Sequence, residues 1–326
     1  MSNKFLITLL KDYEQKKLKA EIASDLYKKE IYLKYPKLQE LDDQMAKAGF
    51  WTIKNHLSKD SKKFDLVSYL NTLQSEKNQL LSTLNISPKE LLPKYDCKLC
   101  SDTGYISTTK SSPVLCNCIK QKLIELSIDN SNLNRTNLEN FSTFDSNKFN
   151  ATIADNTVSP RQNILNIKKR AINFIENFDN ANNRNLFFTG NTGLGKTFMS
   201  NCIGAEMIKR GKTVLYQTAP ILLDNVIGYK MERDKSNLFN IYDAILDSDL
   251  LIIDDLGTES LNSMKLSELF NIINARILNS NKKTIISTNL NINQIFKNYE
   301  ERIGSRIVGY YDLYHFFGDD LRFKKK

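Results

Sequence analysis

The chain has 326 residues, 41% hydrophobic and 25% charged, with a formal charge of +9 at pH 7. That length suffices for two domains, one with a sizeable core, and the balance is ordinary for a soluble globular protein. No apolar run reaches membrane-spanning length and no signal peptide opens the chain, so a cytoplasmic protein without a membrane role is expected; the positive charge suits an acidic partner such as nucleic acid, and the His count of 2 leaves little for histidine-based catalysis.

From residue 1 to about 85 the pattern is helical. Leu18, Ile22, Leu26 and Ile31, then Leu38, Leu41 and Met45, recur near helical spacing with Lys and Glu between them. Pro36 separates two helices, Gly49 is expected to end the second, and a third runs from about Phe64 to Leu84. Two readings stay open: a bundle that buries its own stripe, or a helical module that binds a partner.

Cys97, Cys100, Cys116 and Cys118 follow, spaced C-x2-C and C-x-C. Two close thiolate pairs suit tetrahedral Zn2+, and four sulfur ligands leave no open position, so the site is expected to be structural. Disulfides do not suit a cytoplasmic chain. The fifth cysteine, Cys202, reads as core. A short helix leaves the cysteines, and residues 127–157, rich in Asn, Ser and Thr, read as an interdomain linker. Phe141, Phe144 and Phe149 interrupt it and are expected to dock on a neighbouring domain. Ser159 then caps a helix that opens with Pro160.

Gly190, Asn191, Thr192, Gly193, Leu194, Gly195, Lys196 and Thr197 form G-x-x-x-x-G-K-T between a short apolar strand and a helix. Glycines let backbone N–H groups turn inward around phosphates, and the helix N-terminus adds positive charge. Lys196 is expected on the β- and γ-phosphates of ATP, and Thr197 on Mg2+. After a second strand (Thr213 to Gln217) and helical stretches at about 220–233 and 238–246, the run Asp249 to Asp255 reads as a buried parallel strand that delivers two acids. Asp254 is placed near Mg2+ and Asp255 beside the attacking water, with Glu259 a further candidate for orienting that water. A helix from about Asn262 to Asn279 precedes another strand, whose tip Asn289 is expected between the two catalytic strands. Arg302 and Arg306 lie four apart on one helix face, one an ion-pair residue and the other a candidate arginine finger; Arg322 is a possible phosphate contact, and Lys324 to Lys326 a solvated tail.

Gly190 to Thr197, Ile252 to Asp255, Thr288-Asn289, Glu301 to Arg306 and Gly318 to Arg322 together resemble AAA+ ATPases of the DnaC/DnaI helicase-loader type. The cysteine segment, with Asp102-Thr103-Gly104, resembles the N-terminal region of such loaders in Gram-positive bacteria and their phages. The resemblance implies an α/β AAA+ core with a parallel sheet, preceded by a small helical zinc-binding domain. It implies Walker A roles for Lys196 and Thr197, Walker B for Asp254 and Asp255, sensor I for Asn289, a finger acting on a neighbour's ATP for Arg306, and sensor II for Arg322. The domains expected are 1–126 (helicase-binding), 127–157 (linker) and 158–326 (AAA+, without a helical lid). The expected partners are a DnaB-type helicase, single-stranded DNA and further copies of the chain. The rivals are an IstB-type transposition ATPase and an ATP-switched adaptor that does not hydrolyse.

Overall fold

A computed structural model of the chain describes residues 2–57, 66–108, 111–127, 139–153, 157–231 and 241–323. The tail Lys324–Lys326, part of the expected linker and the ends of three expected helices lie outside these residues. The chain divides into two compact units, Thr8–Val114 and Leu115–Lys326 with Met1–Ile7.

In the first unit, α1 (Ser2–Lys34) and α2 (Pro36–Leu57) part at Pro36, and α3 (Leu66–Thr83) follows. α2 does not stop at Gly49, as expected, but runs on to Leu57. A glycine inside a helix costs about 1 kcal/mol relative to alanine, too little to end one by itself. The core is small: Leu38, Leu81 and Leu91, flanked by Tyr27, Ile31, Tyr32 and Leu84. The stripe read from the sequence splits. Leu38 and Leu41 are buried, whereas Leu18, Ile22 and Leu26 remain 55%, 49% and 57% exposed. On a helix advancing 100° per residue these three point away from Leu9, Tyr13, Ser24 and Ile31, the side of α1 that is buried or packed against the core. Ser24 Oγ secures that inner side by donating to the Leu91 carbonyl at 2.9 Å. A hairpin of β1 (Tyr105–Thr108) and β2 (Ser111–Leu115) closes the stretch between the cysteine pairs.

The second unit holds a five-stranded, all-parallel sheet in the order β4 (Val214–Thr218), β5 (Leu250–Leu256), β6 (Lys283–Thr288), β3 (Asn185–Thr189), β7 (Tyr311–His315). Side chains alternate between its two faces. Leu186, Phe188, Tyr216, Ile252 and Ile285 pack with α5 (Pro160–Glu176) and α6 (Lys196–Lys209). Phe187, Leu215, Leu251, Ile253 and Ile286 pack with α7 (Ala219–Met231), α8 (Ile241–Asp247), α9 (Ser263–Leu278), α10 (Ile292–Asn298) and α11 (Glu300–Tyr310). Both faces are covered, which is why β5 opens as a continuous apolar run, Leu250 to Ile253. Ser159 does cap α5, accepting the Gln162 N–H at 3.2 Å.

Arg276 of α9 is buried without a carboxylate against it. It donates to the carbonyls of Ile245 (2.6 Å), Ser248 (3.1 Å) and Lys283 (2.6 Å) and to Thr284 Oγ1 (2.9 Å). Burial draws its pKa down to about 10. One guanidinium thus ties the C-terminal end of α8 to the start of β6.

The division between the two compact units falls at Val114. α4 (Asn117–Ser127) belongs with the sheet. Gln121 pairs with the backbone of Val214, accepting its N–H at 2.8 Å and donating to its carbonyl at 3.1 Å, so it covers the open edge of β4. Ile124 joins the core. The described part of the expected linker is also docked: Phe149 is buried in the α5–α6 face, Phe141 and Phe144 pack beside it, and the Lys168 ammonium lies 4.3 Å from the Phe144 ring.

Candidate nucleotide site and cysteine cluster

Parallel strands end on one rim, and β3, β5 and β6 deliver their polar tips there. The loop after β3 leads into α6, with Gly195 in the left-handed region at φ 89° as its cap. Two loop glycines have steric reasons beyond backbone freedom. A Cβ on Gly190 would lie 2.1 Å from the Phe316 carbonyl oxygen, and one on Gly193 would lie 1.8 Å from Asp320 Oδ1. The segment after β7 therefore closes against the loop, and Leu321 N–H donates to the Gly193 carbonyl at 3.0 Å.

Lys196 is buried at the centre. Its ammonium donates to the carbonyls of Gly190 (2.6 Å) and Asn191 (2.7 Å) and to Asn289 Oδ1 (2.8 Å). β6 lies between β3 and β5, so Asn289 stands between the loop and the acids. Burial lowers the Lys196 pKa; Asp255 and Asp254 oppose that effect and Arg322 adds to it.

Asp254 is 2% exposed. Its Oδ2 accepts Thr197 Oγ1 at 2.9 Å and the Tyr216 hydroxyl, and its Oδ1 accepts the Ser287 hydroxyl. Burial, reinforced by Asp254, raises the Tyr216 phenol far above the usual tyrosine range and keeps it a donor. Asp255 is left-handed at φ 53°, at a break in the β5–β6 register between Ile253 and Leu256. Such a bulge re-aims a side chain at a strand end, at a cost of order 1–3 kcal/mol. Burial first, and then the Asp254 charge, raise the Asp255 pKa. A hydroxyl beside a carboxylate is a hard oxygen pair of the kind Mg2+ takes while keeping several waters, so Thr197 and Asp254 fit that ion.

Glu259 does not face this site. It is buried, Oε2 accepting the Gly257 N–H at 2.9 Å and Oε1 the Tyr299 hydroxyl, so both oxygens are taken up in bracing the turn after β5. Arg302 pairs with Glu300 at 2.7 Å. Arg306 is half-buried and donates to Asn274 Oδ1 at 3.1 Å; among the described residues no hydrogen bond joins it to the loop or the acids. Arg322 is exposed, yet its charge acts on both Lys196 and Asp255. Cys202 is buried in α6 and its thiol is pushed up to about 12, mainly by burial, as suits a core residue. Tyr216, Ser287 and Asp320 were not singled out from the sequence. Strand alternation was the available signal for the first two, since Tyr216, Asp254 and Ser287 share the sheet face that packs on α6.

The ligand atoms of Cys97, Cys100, Cys116 and Cys118 all lie within 4.8 Å of one another. Sulfurs at about 2.3 Å around a tetrahedral ion would be spaced roughly 3.8 Å apart, within that bound, so the quartet fits Zn2+. Asp102 shapes the turn of the first pair: its carboxylate accepts the N–H groups of Asp96 (2.9 Å) and Cys97 (2.8 Å), and Ser101 and Asp102 are left-handed at φ 50° and 54°.

Residues 128–305 match the family described as "IstB-like ATP binding protein". The replicative helicase loader DnaC of Escherichia coli (strain K12) is 28% identical over 149 residues, 44% of this chain and 57% of its own. The chromosomal replication initiator protein DnaA of Campylobacter fetus subsp. fetus (strain 82-40) is 31% identical over 121 residues, 37% of this chain and 27% of its own. The chain thus spans 57% of one of these curated relatives and 27% of the other. A crystal structure of the DnaC helicase loader superposes with a TM-score of 0.45 at 22% identity, covering 56% of this chain and 99% of that one. Among the described residues no helix is long and apolar enough to cross a membrane.

Proposed function

The chain belongs to the IstB-like ATP binding protein family, and on that premise we propose that it is an ATP-dependent loader of a DnaB-type replicative helicase onto single-stranded DNA. The observation that carries the ATPase part is the pair of bonds Lys196–Asn289 and Thr197–Asp254, which join the phosphate loop to the tips of β6 and β5. Lys196 and the loop amides hold the phosphates. Thr197 and Asp254 would hold Mg2+, which would supply positive charge against the phosphates. Asp255, with Asn289, orients the attacking water. Arg306 acts on ATP bound to the next copy of the chain, and Arg322 on ATP in its own pocket. The similarity to DnaC supports the helicase as partner, and the cysteine quartet supports the reading of a structural zinc site. The outward row Leu18, Ile22, Leu26 supports a docking role for that module.

The test is a comparison of Lys196→Ala with Arg306→Ala. The first abolishes ATP binding. The second keeps binding and loses the hydrolysis that helicase and single-stranded DNA stimulate. Equal loss of nucleotide affinity in both would remove the role of Arg306 between copies, and no turnover in wild-type protein under any condition would favour an ATP-switched adaptor.

The match to the IstB-like ATP binding protein family favours as a second reading the IstB-type rival named from the sequence, an ATPase that remodels transposase–DNA complexes. Copurification of the full chain with a transposase rather than a hexameric helicase would select it.

A further inference from the structure

β4, β5 and α6 converge on one carboxylate that two side chains hold without any evident business with nucleotide. Tyr216 lies opposite Ile252 in the β4–β5 register, two residues before Asp254 and on the same sheet face. A long side chain spans that diagonal, and the Tyr216 hydroxyl reaches Asp254 Oδ2. From the other side, Ser287 of β6 donates to Oδ1 and accepts the Asp255 N–H at 3.3 Å. Thr197 shares Oδ2 at 2.9 Å. Tyr216 is fully buried and belongs to the apolar core of that sheet face, where a phenylalanine ring would fill the same space. A hydroxyl in such surroundings costs free energy unless it is bonded, and the bond it makes is to Asp254.

We propose that Tyr216 is a positioning residue for the magnesium carboxylate, fixing the plane of Asp254 from β4 while Ser287 fixes it from β6. This rests on the reading of Thr197 and Asp254 as the Mg2+ ligands. Magnesium demands near-ideal octahedral geometry, so a carboxylate free to swing binds it less well. Residues that orient ligating carboxylates typically change metal affinity by about 10- to 100-fold when removed. Ser287 differs from Tyr216 in also anchoring the backbone of Asp255. Its loss therefore reaches the water-orienting acid, whereas loss of the Tyr216 hydroxyl does not.

The test uses the full chain and a fluorescent ATP analogue, with binding measured at stepped Mg2+ concentrations and in EDTA. In Tyr216→Phe the Mg2+ concentration for half-maximal binding rises about tenfold or more, while affinity in EDTA stays within about twofold. Mn2+ binding in the presence of ATP, followed by electron paramagnetic resonance, weakens in parallel. An unchanged Mg2+ midpoint in a variant that melts like the wild type overturns the proposal, and so does an equal fall of affinity in EDTA. Should Tyr216→Phe not fold, Ser287→Ala must show the same Mg2+ shift, and its absence there overturns the proposal equally. Wild-type protein that binds nucleotide with no Mg2+ dependence would instead remove the ligand reading beneath it.

Discussion

The two units keep their polar and apolar groups in opposite places. In the sheet unit the chemistry is internal: Lys196, Asp254, Ser287 and Arg276 are buried, each with fixed partners. In the helical unit the core is a few leucines, and a row of large apolar groups on α1 stays in water. A site that must place charges against a triphosphate needs a rigid, covered frame. A surface that meets a macromolecule needs exposed apolar area and little internal structure. The contrast shows why residue types announce the first kind of function and only spacing hints at the second.

The largest effect expected at the boundary of this contrast is metal removal. Replacing Cys97 or Cys116 with serine, or stripping the ion with a chelator, removes a folding contribution on the order of 10 kcal/mol from the segment around the cysteines. Bound zinc by metal analysis falls to zero and the segment becomes protease-sensitive, while ATP affinity holds. Loss of ATP affinity as well would break the comparison. Next is Arg276→Leu, which strips the donors from several buried carbonyls and costs the sheet unit about 3–5 kcal/mol in urea unfolding.

A smaller, pH-dependent effect sharpens the internal side. The native Asp255 carboxyl holds its proton to higher pH than an exposed one. Its acidic form is thus favoured by folding, and this group's contribution to stability falls as pH rises from the ordinary 3.8 through the raised value. Turnover runs the other way, rising through that raised value as the carboxylate forms. Asp255→Asn lowers turnover by about 10²- to 10⁴-fold and abolishes this acid limb in a pH–rate profile. A limb that stays put in the variant assigns it to another group. The smallest effect on the fold belongs to the outer row. Serine at positions 18, 22 and 26 together shifts stability within about 0.5 kcal/mol per site and leaves ATP affinity unchanged, yet abolishes helicase capture. Unfolding of the triple variant would show the row to be core after all.

The strands that bear the site were legible because burial on both faces demands unbroken apolar runs, as in Leu250 to Ile253. β7 was not. It is the edge strand Tyr311–His315, follows α11 without an intervening turn, and has one buried residue, Tyr311, with Asp312 and Tyr314 half-buried and Leu313 and His315 exposed. The phosphate loop and acids were legible because phosphate and magnesium restrict the residue types. The Tyr299 partner of Glu259 was not legible, because an acid just past a strand looks the same in sequence whether it faces water or a buried tyrosine. The docking of α4 on the sheet was not legible, because the composition changes only after Ser127, whereas the packing changes where Gln121 meets Val214.

The contact between Gly193 and the Asp320 to Phe323 turn has one more implication. The turn is bonded to the loop backbone through Leu321, and Asp320 occupies the space a side chain on Gly193 would need. A ligand that reshapes the loop must therefore carry the turn along. Arg322 and Phe323, the latter 84% exposed, then serve as an outside indicator of what the pocket contains, legible to any molecule that touches that corner.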